Sequence, residues 1–174
     1  MPAAAELHRG VWFWNNTTLP DGSTSAYGSS IVVGDSTKED ETISFFTLHG
    51  VKRVYGSYQN RPVSEPAVIG AWNAKLDAAG ISSQVLIDGV EVDDPADISS
   101  ILAKVTGRLI NFNAGVAVAS RFDSLHLDLE PQGSPAWTGA TPAIKRGLLE
   151  DLLDAYTAIR NHLDTAGLTS MPMY

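Results

Sequence analysis

Phe122-Asp-Ser-Leu-His-Leu-Asp-Leu-Glu-Pro131 is the stretch on which the reading of this chain turns. Side chains alternate faces along a β-strand, so Leu125, Leu127 and Leu129 share one side while His126, Asp128 and Glu130 share the other. The leucines are suited to a covering layer of helices. The ionisable set then faces an interior, and Glu130 falls at the carboxyl end of the strand, the end at which β/α barrels build their active sites. Ser124 to Leu129 is therefore expected to be a central parallel strand.

Working outward, β-rich runs alternate with longer segments of helical period, the pattern of repeated βα units on a parallel sheet. Strand one is expected at Val11 to Trp14, followed by a polar, Gly- and Ser-rich stretch from Asn15 to Gly34 that is too long for an ordinary βα loop. Ser36 is expected to cap the first helix, with Glu39 completing a capping box and Ile43, Phe46 and Leu48 forming its apolar face before Gly50. Strand two spans Arg53 to Tyr58. It leads to a loop with Asn60 and Arg61, then to a helix opened by Ser64 and Pro66, striped by Val68, Ile69, Trp72 and Leu76 and ended by Gly80. Trp72, on that stripe, is expected in the core.

Strand three is Gln84 to Ile87, closed by Asp88 and Gly89. Asp94 and Pro95 open a third helix through Ile98, Ile101, Leu102, Val105 and Leu109, which Asn111 to Ser120 extends or follows. After strand four, Thr141 caps a helix with Pro142 in its first turn. That helix carries Leu148, Leu149, Leu152, Leu153, Tyr156, Ile159 and Leu163 before Gly167. Leu168 to Tyr174 begins a fifth strand.

The fold class expected is thus α/β with parallel β/α units: residues 1–174 as a single domain forming the N-terminal half of a TIM (β/α)8 barrel, about four and a half units. A closed barrel needs eight strands, and a half leaves two strand edges and an apolar interior uncovered. The expectation is a piece of a longer chain or a half-barrel completed by a second copy or another chain. A smaller open α/β sandwich is the alternative. A flavodoxin-like fold would place its phosphate loop directly after strand one, where this chain has the long Asn15 to Gly34 stretch.

Composition narrows the partners. Of 174 residues, 44% are hydrophobic, enough for one sizeable core, and the net charge is −8 with no cluster of Lys and Arg. That balance argues against a nucleic-acid backbone or an anionic membrane as partner. No apolar run reaches the ~20 residues of a bilayer span, and Met1 to Arg9 has no apolar segment of the signal-peptide kind. A secreted chain with its leader removed would read the same as a cytoplasmic one. Cysteine is absent, so disulfides, thiolate metal sites and cysteine nucleophiles are excluded.

Two carboxylates at alternate positions of a strand rising ~3.3 Å per residue stand about 7 Å apart at the backbone, close enough for each charge to affect the other's ionisation. Glycoside hydrolysis uses such a pair, because a carboxylic acid still protonated near neutral pH delivers a proton to the leaving oxygen. Glu130 is the candidate acid and Asp128 the group that orients or stabilises charge. His126, deeper in the barrel, would hold Asp128 or bind a water. An internal salt bridge could also explain one buried carboxylate, but three ionisable groups in succession on one inner face are costly without a use. Other candidates sit at strand ends: Trp14 and Asn15 after strand one, Tyr58 and Asn60 after strand two, Asp88 after strand three, Tyr174 after strand five. Trp14, Tyr58 and Trp137 could stack on sugar rings. The substrate expected is a poly- or oligosaccharide, with no cofactor.

The same residues resemble a known motif. Family-18 chitinases and their relatives carry Asp-x-x-Asp-x-Asp-x-Glu on their fourth strand, and this chain has Asp123-x-x-His126-x-Asp128-x-Glu130, a match at three of the four motif positions. The resemblance implies a TIM-barrel glycosidase in which Glu130 is the proton donor, Asp128 orients a substrate N-acetyl group acting as internal nucleophile, and Asp123 has a structural role near the strand start. His126 departs from the motif, where the family has Asp. His-Leu-Asp-x-Glu-Pro is similar to a broader group of barrel glycosidases whose substrates the motif does not fix. The motif covers about ten residues.

Two rival functions remain open. His8-Arg9-Gly10 is similar to the His-Arg-Gly of glycerophosphodiesterase barrels, but there it ends the first strand and here the run Val11 to Trp14 follows it. His126, Asp128 and Glu130 would in that case bind a divalent metal. The other rival is a non-catalytic carbohydrate-binding or assembly half-barrel.

Overall fold

Four parallel strands in sequential order carry the molecule: β1 (Arg9–Phe13), β2 (Val51–Gly56), β3 (Ser82–Gly89) and β4 (Ser124–Leu129), hydrogen-bonded as β1-β2-β3-β4. The computed structural model describes residues 9–16, 18–19, 21–25, 27–89, 92 and 94–174. His8, the first member of the His-Arg-Gly tripeptide, lies outside the described residues. Helices fill each connection, so the chain is mixed α/β with a parallel sheet. The order never reverses, which removes the doubly wound flavodoxin-like arrangement, whose strand order turns back on itself. The ladder continues past β4: Leu125 N–H donates to the Pro172 carbonyl (3.1 Å), Tyr174 N–H to the Leu125 carbonyl (3.0 Å) and Leu127 N–H to the Tyr174 carbonyl (2.8 Å). Met173 thereby makes one isolated parallel bridge with Leu125, while the rest of Leu168 to Tyr174, where a fifth strand was expected, forms a turn and irregular chain.

Register fixes which side chains share a face. Val11, Val54 and Ser83 align across β1, β2 and β3, and Phe13, Gly56, Val85 and Leu125 form the next row across all four strands. This face carries the core, where Phe13, Val54, Val85, Ile87, Leu125, Leu127 and Leu129 pack with Phe46, Ile69, Trp72, Leu76, Ile101, Val105, Ile159 and Leu163 from the helices. Trp72 is fully buried, as its stripe implied.

The helices are α1 (Ser29–Val32), α2 (Ser36–Leu48), α3 (Arg61–Ser64), α4 (Pro66–Ala78), α5 (Pro95–Val105), α6 (Phe112–Gly115) and α7 (Pro142–Thr165). A π-helical stretch, Thr106–Asn111, joins α5 to α6. Asp94 caps α5 by accepting from Ala96 N–H, and Thr141 caps α7 by accepting from Ile144 N–H, both as the sequence indicates.

Several local expectations are corrected. Asp35, not Ser36, caps α2, its carboxylate accepting from Thr37 and Lys38 N–H groups. An aspartate one position earlier reaches those orphan donors first, because its side chain is a stronger acceptor than a hydroxyl. Glu39 still turns back, accepting from Gly34 N–H (2.8 Å), and it pairs with Lys75 of α4 (3.0 Å). The Asn15 to Gly34 stretch is not one open loop: it contains α1 and an antiparallel bridge between Thr18 and Thr24. Ser64 does not open α4. Residue 65 is the N-cap without a side-chain bond, and Ser64 ends α3. Leu48, Leu149 and Leu153, assigned to apolar faces, are exposed. β2 ends at Gly56, before Ser57 and Tyr58, and β1 ends at Phe13.

Candidate functional site

The face opposite the helices gathers the residues that matter. Trp12, Tyr55, Gln84 and Ser124 align in one row across the four strands; Leu86 aligns with His126, and Asp88 with Asp128. Of the three ionisable residues on alternate positions of β4, His126 and Asp128 are half-buried and Glu130 is exposed. The ladder runs on through Glu130, whose N–H donates to the Gly89 carbonyl (2.8 Å), so alternation carries its side chain toward the same face as Asp128. Asp88, Asp128 and Glu130 thus all belong to the carboxyl end of the sheet.

Below the carboxylates lies an aromatic cluster that the sequence reading credited only in part. Trp12 and Trp14 stack with ring centroids 5.4 Å apart and planes 8° from parallel. His126 meets Trp12 edge-on at 4.7 Å and stacks on Tyr55 at 4.4 Å. Tyr55 lies across Gly10, where any Cβ would collide with its ring. Both indoles remain accessible, Trp12 at 43% and Trp14 at 40% exposure. The signal for Trp12 was present in the alternation of β1, which puts it on the same face as Trp14. Tyr55 carries no such signal of its own: three residues from Tyr58 it falls on the opposite face of the strand, and only the register with Trp12 shows which face is inner.

Tyr58 is corrected as a sugar platform. It is 1% exposed, on the helix side of the sheet, its ring packed against Phe122 and above Gly56. Its hydroxyl accepts from Trp72 Nε1 at 2.8 Å. Burial pushes its pKa well above the ordinary tyrosine value. A ring enclosed in this way has no free face.

The other candidates are dispersed. Asp123 sits at the amino end of β4, its carboxylate accepting from Ser83 N–H (2.8 Å) and its N–H donating to the Ser83 carbonyl (2.8 Å), which pins β4 to β3. The Asn15 carbonyl accepts from Ser30 Oγ (2.8 Å), and the Asn60 carbonyl from Val63 and Ser64 N–H, so both asparagines start helical turns through their backbones. Trp137 lies in the turns after β4 with Lys145 Nζ 5.1 Å from its ring centroid. Tyr174, 52% exposed, has the Arg53 guanidinium 5.9 Å from its ring centroid. Lys104 of α5 donates to the Asp88 carbonyl (2.9 Å) and stands 4.0 Å from its carboxylate.

Electrostatically the centre of the face is His126. Burial holds its pKa below the ordinary histidine value, against the opposing pull of the nearby Asp128 carboxylate. Arg108, on the π-helical stretch, is likewise lowered by burial, with the Asp88 charge opposing. Among the described residues no three His, Asp or Glu side chains converge as a metal-binding cluster. The expectation that His126, Asp128 and Glu130 could converge on a divalent ion is corrected accordingly: residues at every second position spread along the strand instead of around a point. Arg9 starts β1 at the amino end of the sheet, bonded to the His49 carbonyl (2.9 Å), the end opposite to the carboxylates. No helix among the described residues is long and apolar enough to cross a membrane. Comparison with known proteins finds no matching family model, no matching curated protein and no matching solved structure.

Proposed function

We propose that this chain is the N-terminal half of a TIM barrel and contributes the acid/base carboxylates of a glycoside hydrolase acting on a poly- or oligosaccharide. The observation that carries the reading is the shared face: Asp128 and Glu130 at the carboxyl end of the sheet, with the exposed rings of Trp12 and Trp14 on the same side. The reading is supported by sequential parallel strands joined through helices, the order a barrel uses, and by the isolated parallel bridge of Met173 to Leu125 beyond β4. In this reading Glu130 protonates the leaving oxygen, Asp128 orients the substrate or stabilises positive charge, and the indoles hold sugar rings by their faces.

The test is a titration with chito-oligosaccharides together with product analysis, on the chain and on Glu130→Gln. Binding is expected to persist in the variant while cleavage falls by ~10²–10⁴-fold, the usual contribution of a positioned acid. A wild-type chain that cleaves equally well with Gln at position 130 contradicts the assignment. A second reading, a non-catalytic carbohydrate-binding or assembly half-barrel, is favoured by the openness of Glu130 on the surface. It predicts binding in both proteins and turnover in neither. The metal-dependent phosphodiesterase reading has no observation in its favour.

A further inference from the structure

Three polar side-chain atoms on the inner face are enclosed with no partner among the described residues: Gln84 Oε1, Ser124 Oγ and His126 Nδ1. Gln84 and Ser124 are each 2% exposed and are direct partners across the β3–β4 ladder. Ser124 and His126 are two residues apart on one strand and share a face. At the backbone, Ser124 is the direct partner of Gln84 and stands about 7 Å from His126 along β4, while Gln84 and His126 are diagonal neighbours about 8 Å apart, within reach of their long side chains. Isolated buried polar atoms each cost free energy, and native folds resolve such groups through an internal water when two to four of them converge.

We infer that Gln84, Ser124 and His126 together bind one internal water, and that this water fixes the imidazole of His126 as the neutral Nε2–H tautomer. The donor count closes in one way. Gln84 Oε1 can only accept, so it takes one water hydrogen. The Ser124 hydroxyl donates to the water oxygen. The second water hydrogen is then directed at His126 Nδ1, which accepts it through its lone pair, leaving the ring proton on Nε2. Nε2 is the ring nitrogen that is not enclosed in this way. The ring is held in its plane by Tyr55, stacked at 4.4 Å, and Trp12, edge-on at 4.7 Å, so the water has a stationary lone pair to address. An imidazolium would donate from Nδ1 to the water oxygen and leave one hydrogen, of the water or of Ser124, without an acceptor, which agrees with the neutral state that burial favours.

His126 is thus a positioning residue that offers an N–H on the open side of the sheet, the side of Asp128. That last step, the use of the N–H to hold Asp128, rests on the glycosidase reading. The water site and the tautomer do not, and a chain that never cleaves a sugar leaves both standing.

The test is histidine ring 15N spectroscopy combined with water-to-protein cross-relaxation on the full chain, in wild type and in Ser124→Val, which removes the hydroxyl and adds apolar bulk beside the water. In wild type the expected result is a single Nε2–H form of His126 and a long-lived water close to the Ser124 and His126 protons. In the variant the water signal is lost, and an Nδ1–H form rises to about a tenth of the population or more. Ser124→Ala, which removes only the hydroxyl, gives a weaker water signal in the same direction and serves if the valine variant does not fold. An Nδ1–H form in wild type, an absent long-lived water, or a water signal and tautomer unchanged in the variants that fold overturns the inference.

Discussion

Tyr55 and Tyr58 are three residues apart and have opposite surroundings. Tyr55 points to the inner face and stacks on His126, whereas Tyr58 is enclosed among helix side chains and accepts from Trp72 Nε1. Sequence alone does not separate them, because strand two could be placed with either ring inward; only the register with Trp12 and Gln84 decides. Their chemistry now differs in testable ways. Tyr58→Phe leaves the buried Trp72 N–H without an acceptor and is expected to cost ~1–3 kcal/mol in urea unfolding at neutral pH. The pH dependence has a definite sign: the folded state keeps Tyr58 protonated to higher pH than the unfolded chain, in which it ionises near pH ~10. Stability is therefore intact below that pH and declines as pH rises past it. Unfolding measured at pH ~8 and ~10.5 should show a smaller decline in Tyr58→Phe than in wild type. An equal decline in both would contradict the burial of this hydroxyl. On the inner face, Trp12→Ala is expected to weaken oligosaccharide binding by about two- to tenfold, the ~0.5–1.5 kcal/mol of one aromatic contact, read by calorimetric titration.

At the scale of elements, the readable parts were those with strong local chemistry. β4 lies where alternation of leucines with ionisable residues placed it, and α5 and α7 begin at Asp94-Pro95 and Thr141-Pro142, where cap and proline coincide. α2 was misread by one residue because Asp35 and Ser36 are both good caps, and only geometry shows which one reaches the free N–H groups. Asp35→Ala should accordingly destabilise by about 1 kcal/mol, while Ser36→Ala stays within about 0.5 kcal/mol. Denaturant midpoints of the two variants check this, and a larger loss at Ser36 would contradict the assignment. α1 was invisible for a different reason. Four residues are too few to show a period, and what holds the turn is Ser29 Oγ donating to the Ser57 carbonyl (2.6 Å), a contact made across the fold. The exposure of Leu149 and Leu153 likewise follows from what packs beside α7, which its own periodicity cannot report.

For the whole molecule, parallel winding was legible in the alternation of strand and helix, and the strand order bears it out as far as a four-stranded parallel sheet. Among the described residues β1 is an edge strand, bordered by a cavity of about 610 Å³ whose lining includes Val11, Phe13, Tyr27, Phe45 and Phe46. An open edge beside apolar surface favours strand addition. The half-barrel proposal therefore predicts that the 18.6 kDa chain associates, with light scattering giving about twice that mass; a monomer at every concentration speaks for a self-sufficient open sheet. The central claim is that the inner face at the carboxyl end of the sheet is where a saccharide sits. Chemical-shift mapping during titration with a chito-oligosaccharide tests it most directly. The account predicts perturbations at the Trp12 and Trp14 indole N–H groups and at the Asp128 and Glu130 amides, with the helix face silent. Shifts confined to the helices, or none at saturating sugar, contradict it.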